Sequence, residues 1–235
     1  MFRVCDMVTD RKLFYSDYDH ENIAMYCDKN FIGDTLDMWK GFVSIIKRCI
    51  YGKDGYKYAM EYTKKFWEAY KDDKKYFRIH INEGHEGTLN LIKYLDDALF
   101  DFVSYFINNS ILQDTAVIIV SDHGSQVVGQ WSIFSPEDYL LEKLMPILLL
   151  IVPNNEKLYE KNRYENLWEN QQNFVTAFDI YNTMIEMANP EEEGMFSNQG
   201  ISLFRSINKT EKYCESNVYK MYFGGGICKC KKNEL

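Results

Sequence analysis

Thr115-Ala116-Val117-Ile118-Ile119-Val120-Ser121-Asp122-His123-Gly124 is the stretch from which the fold of this 235-residue chain is read. Its first six residues are β-branched or apolar throughout, which suits a strand covered on both faces of a sheet. Upstream, Leu91 or Ile92, Leu95, Leu99, Phe102 and Phe106 recur at helical spacing and predict one long amphipathic helix from Thr88 to Asn108. Before that helix, Tyr76-Phe77-Arg78-Ile79-His80-Ile81 reads as a short β-like run that ends at Asn82-Glu83-Gly84-His85-Glu86-Gly87. The order strand, long helix, buried strand is a βαβ unit, so the expected class is α/β with a mostly parallel sheet.

Working outward, a helix fits Thr35 to Tyr51, with Leu36, Trp39, Phe42, Val43, Ile46 and Ile50 on one face and Gly52 as its stop. A second fits Tyr56 to Tyr70, and the charge run Lys71-Asp72-Asp73-Lys74-Lys75 reads as a solvated turn after it. A further buried strand runs from Ile147 to Val152 and ends at Pro153. The last expected helix spans Thr176 to Ala188, with Thr176-Ala177-Phe178-Asp179 as a capping box. Residues 1–34 carry no periodicity and read as an irregular N-terminal segment. Residues 35–190 form the main body of the domain, and residues 191–235 are its Cys- and Gly-rich tail.

Composition limits the function classes. With 46% apolar and 26% charged residues the chain is ordinarily globular. A formal net charge of −8 repels nucleic acid and anionic membrane surfaces, which excludes a nucleic-acid partner. The 18 Tyr and 15 Phe read as core packing and name no ligand. No stretch approaches the roughly 20 apolar residues that cross a bilayer, so no membrane span is expected. The six cysteines include no CxxC pair, and Cys228-Lys229-Cys230 is too tight to supply two zinc arms. The sequons Asn108-Asn109-Ser110 and Asn208-Lys209-Thr210 favour an extracellular or secretory-lumen setting. Met1-Phe2-Arg3-Val4-Cys5-Asp6 lacks the apolar region of a signal peptide and reads like the middle of a domain.

Two of the expected strand ends carry chemistry, at the place where ligands collect in open parallel sheets. One presents His85 between Glu83 and Glu86, the other Asp122-His123. A carboxylate followed at once by an imidazole, on a turn leaving a buried strand, can place one oxygen and one nitrogen on a single divalent ion such as zinc or manganese. Gly124 lets the backbone turn tightly beneath it. The competing reading is that Asp122 caps the turn while His123 faces solvent. His20 reads as a surface-loop residue, and His80, between Ile79 and Ile81, as a packed structural one.

Val-Ile-Ile-Val-Ser-Asp-His-Gly at 117–124 resembles the metal-binding signature of the alkaline phosphatase superfamily, particularly its sulfatase-like branch. Gly84-His85-Glu86-Gly87-Thr88 with Tyr94-Leu95-Asp96-Asp97 resembles the His-containing loop and helix that precede that signature. Glu142-Lys143-Leu144-Met145-Pro146, Thr176 to Thr183, Gly200-Ile201-Ser202-Leu203-Phe204 and the cysteines 214, 228 and 230 resemble later segments of an uncharacterised eukaryotic branch. The resemblance covers roughly residues 35 to 230 and implies a three-layer sandwich of the alkaline phosphatase type, incomplete at the N-terminus.

That resemblance implies that Asp122 and His123 are metal ligands and that His85 binds a second metal or the substrate's phosphate or sulfate oxygen, a catalytic role. The implied ion is zinc first, with manganese or calcium as alternatives, and the implied substrate a small phosphate or sulfate ester or a glycan. The family's nucleophile and further acidic ligands come from an N-terminal half, so the expectation is the C-terminal half of a metal-dependent hydrolase or transferase. A non-catalytic extracellular or lumenal binding domain on the same fold is the alternative. A metal-free nucleophilic hydrolase would need a Gly-x-Ser-x-Gly elbow or a paired Cys and His, and neither is present.

Overall fold

The computed structural model describes residues 19–20, 49–81, 83–86, 90–124, 145–154, 160–190 and 200–207. Within them the chain is mixed helix and strand, in two compact units: Met1–Asn109 with Ser125–Phe134, and Ser110–Gly124 with Ser135–Leu235. The irregular segment 1–34 apart from Asp19 and His20, the helix expected over Thr35–Tyr51 up to residue 48, the Glu142-Lys143-Leu144 motif and the cysteines 5, 27, 214, 228 and 230 lie outside the described residues.

The first described element of the first unit is a hairpin, not a helix end. β1 (Cys49–Ile50) pairs antiparallel with β2 (Lys53–Asp54), Cys49 opposite Asp54 and Ile50 opposite Lys53. Tyr51 and Gly52 turn between them with φ of 47° and 80°. Two positive-φ residues make the tight turn whose twist suits a hairpin, and Gly52 adopts that conformation without steric cost. The glycine expected to stop a helix reverses a strand instead. Helix α1 (Gly55–Ala69) follows close to the expected bounds and buries Tyr56, Met60 and Thr63. It ends where the charge run begins, and Lys75 closes it: the Nζ donates to the carbonyls of Tyr70 at 2.6 Å and Asp73 at 3.2 Å. A lysine is well placed there, because the last carbonyls of a helix are unpaired and carry negative partial charge.

Residues 76–81 alternate between exposed and half-buried, with Phe77, Ile79 and Ile81 turned inward and His80 outward. This is the alternation of a strand, but no ladder partner exists for it among the described residues. His80 is exposed, in contrast to the packed role expected from its apolar neighbours. The long helix begins later than its periodicity suggests. A 3-10 turn over Leu91–Tyr94 leads into α2 (Leu95–Asn108). Glu86, with no exposed surface, accepts from the backbone N–H of Asn90 at 3.2 Å and of Leu91 at 3.4 Å, which anchors the start of this turn. Tyr56, 1% exposed, donates its hydroxyl to the Tyr94 carbonyl at 2.7 Å and ties α1 to the junction of the 3-10 turn and α2. Leu91 fills the core while Ile92 is half exposed, which resolves the choice that spacing left open. Between α1 and α2 an aromatic cluster packs edge to face and tilted: Trp67 lies 5.3 Å from Phe106, and Phe102 4.8 Å from Phe106. Such pairs contribute about 0.5–1.5 kcal/mol each beyond their buried area.

In the second unit β3 (Val117–Val120) pairs with β4 (Leu148–Ile151), Val117 opposite Ile151 and Val120 opposite Leu148. The pairing is antiparallel, and the parallel ladder expected of the βαβ unit, between residues 76–81 and 115–120, is not present among the described residues. A wholly apolar strand carries no signal of direction, and its pairing depends on which neighbour offers a complementary edge. Neither strand contains a fully buried residue among its four, and Val120 and Leu149 are about half exposed, so the expected cover on both faces is only partial among the described residues. The unit also holds 3-10 turns over Ile111–Gln113, Glu160–Asn162 and Asn170–Gln172, the helices α3 (Arg163–Glu169) and α4 (Ala177–Ala188), and an irregular segment, residues 200–207, held to both helices.

Polar side chains make most of that attachment. The expected capping box forms at Thr176. Asp179, fully buried, accepts through Oδ2 from the Thr176 backbone N–H at 2.7 Å and hydroxyl at 2.8 Å, and through Oδ1 from the Ile201 N–H at 2.7 Å. Asn182 donates to the Gly200 carbonyl at 2.7 Å, and the Leu203 N–H donates to the Thr183 hydroxyl at 2.9 Å. From α3 and the turn after it, Asn166 donates to the Phe204 carbonyl at 2.9 Å, and Asn170 to those of Leu203 at 3.0 Å and Arg205 at 2.8 Å. Apart from the two Thr176 bonds of the cap, each satisfies backbone of the irregular segment 200–207, which has no ladder partner among the described residues. Gly200 is obligatory here, since a Cβ would sit 2.4 Å from the backbone of Phe178.

Candidate functional site

The turn Ser121–Gly124 leaves β3 at the end nearest the start of β4. The Ser121 N–H donates to the Ile147 carbonyl at 3.1 Å, which extends the ladder one step beyond Val120. The Ser121 hydroxyl then donates to the carbonyl of His123 at 2.6 Å and folds the chain back on itself. Within this turn Asp122 uses its two oxygens differently. Oδ1 accepts from the His123 backbone N–H at 3.0 Å, while Oδ2 lies 3.5 Å from Nε2 of the His123 ring. The side chain of Asp122 is 86% exposed and that of His123 35% exposed.

The other ring nitrogen fixes the tautomer. Nδ1 of His123 lies 2.6 Å from the carbonyl oxygen of Gly124. A carbonyl oxygen only accepts, so Nδ1 carries the proton and, in the neutral ring, the lone pair sits on Nε2 beside the Asp122 carboxylate. This is the arrangement by which metal-ligating histidines are usually oriented, with the second nitrogen donating to a backbone carbonyl. The spacing agrees with it. Two donors bonded to one tetrahedral ion at about 2.0–2.2 Å are about 3.4 Å apart, against 3.5 Å here. The capping role and the ligand role read from the sequence as competitors are compatible, because they fall on different oxygens of Asp122.

Among the described residues the turn offers two such donors. Among the described residues, no three His, Cys, Asp or Glu side chains gather in one place. His85 belongs to the first unit, on a 3-10 turn over Glu83–His85, and its side chain lies outside the described residues. Glu83 and Glu86, its acidic flanks, are both buried, and Glu86 is committed to the backbone of the next turn. His20 is occupied by structure: its Nε2 lies 2.6 Å from the Tyr70 hydroxyl and its ring meets Phe66 edge-on at 5.7 Å.

Sequence reading missed a second charged group in the same unit. Glu186 on α4, buried, stands between two guanidinium groups: its Oε1 is 3.5 Å from Nε of Arg163 and its Oε2 3.2 Å from Nε of Arg205. The three residues are far apart in sequence and share no motif, so no local signal marks them.

No helix among the described residues is long and apolar enough to cross a membrane. No curated protein and no solved structure matches the chain. A family model does match, over residues 34–233, and the chain therefore belongs to the family described as protein of unknown function, DUF229.

Proposed function

We propose that Asp122 and His123 form one corner of a divalent-metal centre, zinc first and manganese or calcium next, in a hydrolase or transferase acting on phosphate or sulfate esters. The observation that carries this reading is the pairing of a tautomer-fixed Nε2 with a carboxylate oxygen at 3.5 Å. The resemblance of residues 117–124 to the alkaline phosphatase superfamily adds to it, and with it come the three-layer sandwich and an extracellular or lumenal setting. A divalent ion held here supplies Lewis-acid polarisation of the ester and activation of a hydroxyl nucleophile. The protein's own contribution is orientation. Gly124 fixes the His123 ring through Nδ1, the Ser121 hydroxyl fixes the backbone of His123, and Asp122 supplies the negative charge that draws a cation to the turn.

Calorimetric titration with zinc tests this directly. Asp122→Ala and His123→Ala are each expected to weaken binding at least tenfold while circular dichroism stays unchanged. Equal zinc affinity in both variants and the parent sinks the proposal. The resemblance assigns His85 to the same chemistry, and His85→Ala is the arm that tests that assignment. The absence of a third ligand among the described residues favours a second reading, a non-catalytic binding domain. It predicts no turnover of an aryl phosphate or aryl sulfate with any metal supplement, and an unchanged melting temperature in chelator.

A further inference from the structure

We propose that Asn108 is an acceptor for an N-linked glycan, carried on the exposed C-terminal end of α2. The inference rests on the extracellular or lumenal setting proposed above, because the glycan is transferred in that compartment.

The acceptor signal is Asn108-Asn109-Ser110, an asparagine with a hydroxyl residue two positions on and no proline between them. Such a tripeptide is common by chance, and its accessibility decides whether a glycan fits. Here α2 ends at Asn108, and all three residues of the signal are exposed. Phe102 and Phe106 mark the buried face of the helix. At 3.6 residues per turn, Asn108 lies about 200° around the axis from Phe106, on the opposite face. A bulky, hydrated group attached there displaces no packed side chain.

The two asparagines are not equivalent. Asn109 is committed to the helix end: its backbone N–H at 3.1 Å and its side-chain amide at 2.8 Å both donate to the Tyr105 carbonyl. The Asn108 carboxamide makes no hydrogen bond among the described residues. Ser110 then turns the chain out of the helix with a left-handed φ of 58°. Its carbonyl accepts from the Gln113 N–H at 3.2 Å and starts the next turn, while its hydroxyl caps nothing. An uncommitted amide and an uncommitted hydroxyl two residues on thus share one exposed turn. In the transfer, the Asn108 side-chain nitrogen forms a bond to the anomeric carbon of a lipid-pyrophosphate-linked oligosaccharide and loses one proton. The bond from that carbon to the pyrophosphate oxygen breaks, and the lipid pyrophosphate leaves with its electron pair.

The test translates the full chain behind a cleavable secretory leader in the presence of endoplasmic-reticulum microsomes. The second signal, at Asn208, lies outside the described residues, so the arms are run in an Asn208→Gln background. A protease-protected chain with one glycan step in gel mobility is expected. Peptide N-glycosidase should remove that step from the folded chain without denaturant, leaving a deamidated residue at position 108 in the peptide mass spectrum. Asn108→Gln and Ser110→Ala are each expected to abolish the step, while Ser110→Thr and Asn109→Gln keep it. The proposal is overturned by a protected chain that stays unmodified, by a step that persists in Asn108→Gln, or by a glycan released only after denaturation. A step in microsomes together with a bare Asn108 in the chain isolated from its own cells upholds the acceptor and removes the lumenal setting instead.

Discussion

At the scale of single residues, the side chains with the most decided chemistry are those whose hydrogen bonds fix a proton. Nδ1 of His123 is one case; Tyr105 on α2 is another. Its hydroxyl donates to Oε1 of Glu68 on α1 at 2.9 Å. Burial first, then the hydrogen bond to Glu68 and the carboxylate charge, raise its pKa above the ordinary 10.0. Each of these disfavours the phenolate, so the stabilisation from this contact is fully present below pH 10 and is lost as pH rises through the higher value of the folded state. Alkaline difference absorbance between the parent and Tyr105→Phe should therefore show one phenol titrating above 10, and Glu68→Gln should bring it down. A Tyr105 that titrates at or below 10, or that ignores Glu68→Gln, contradicts this account. None of it was legible in the sequence, where Glu68 and Tyr105 are 37 positions apart and belong to different helices.

At the scale of elements, α4 shows what local sequence does specify. The Thr176 to Asp179 spacing is a reciprocal cap, and the helix starts at Ala177 as that spacing requires. What the spacing does not contain is the second oxygen of Asp179, which reaches Ile201 and couples the helix start to residues 200–207. Asp179→Ala therefore removes more than a cap. It leaves the Thr176 and Ile201 N–H groups without their acceptor and should destabilise the unit by about 3 kcal/mol, two or more times the typical cost of losing an N-cap alone. Urea denaturation of the variant measures this. A loss below about 1 kcal/mol shows that the Ile201 bond contributes little. The hairpin at 49–54 teaches the opposite lesson about elements. Apolar residues at helical spacing up to Ile50 predicted a helix through Tyr51, but two positive-φ residues in succession cannot continue one, and the chain turns instead.

At the scale of the whole molecule, charge is the property the sequence states outright. A net charge of −8 provides too little excess cation to displace the counterions of a duplex, so no mobility shift of double-stranded DNA is expected at 0.15 M salt, roughly physiological ionic strength. Saturable binding that falls steeply with added salt would falsify that expectation. Sequence alone also determined the helices over 55–69 and 177–188, the apolar strands around 117–120 and 148–151, and the adjacency of a carboxylate and an imidazole at 122–123. These rest on periodicity, capping and composition, which act within a few residues. Tertiary structure alone decided that β3 and β4 run antiparallel, that Leu91 rather than Ile92 enters the core, that Glu86 is buried under a turn, and that Glu186 holds two arginines. The reason is physical. A strand's direction and a carboxylate's partner depend on groups that are remote along the chain and meet only when it folds, and no local pattern records which of them will meet.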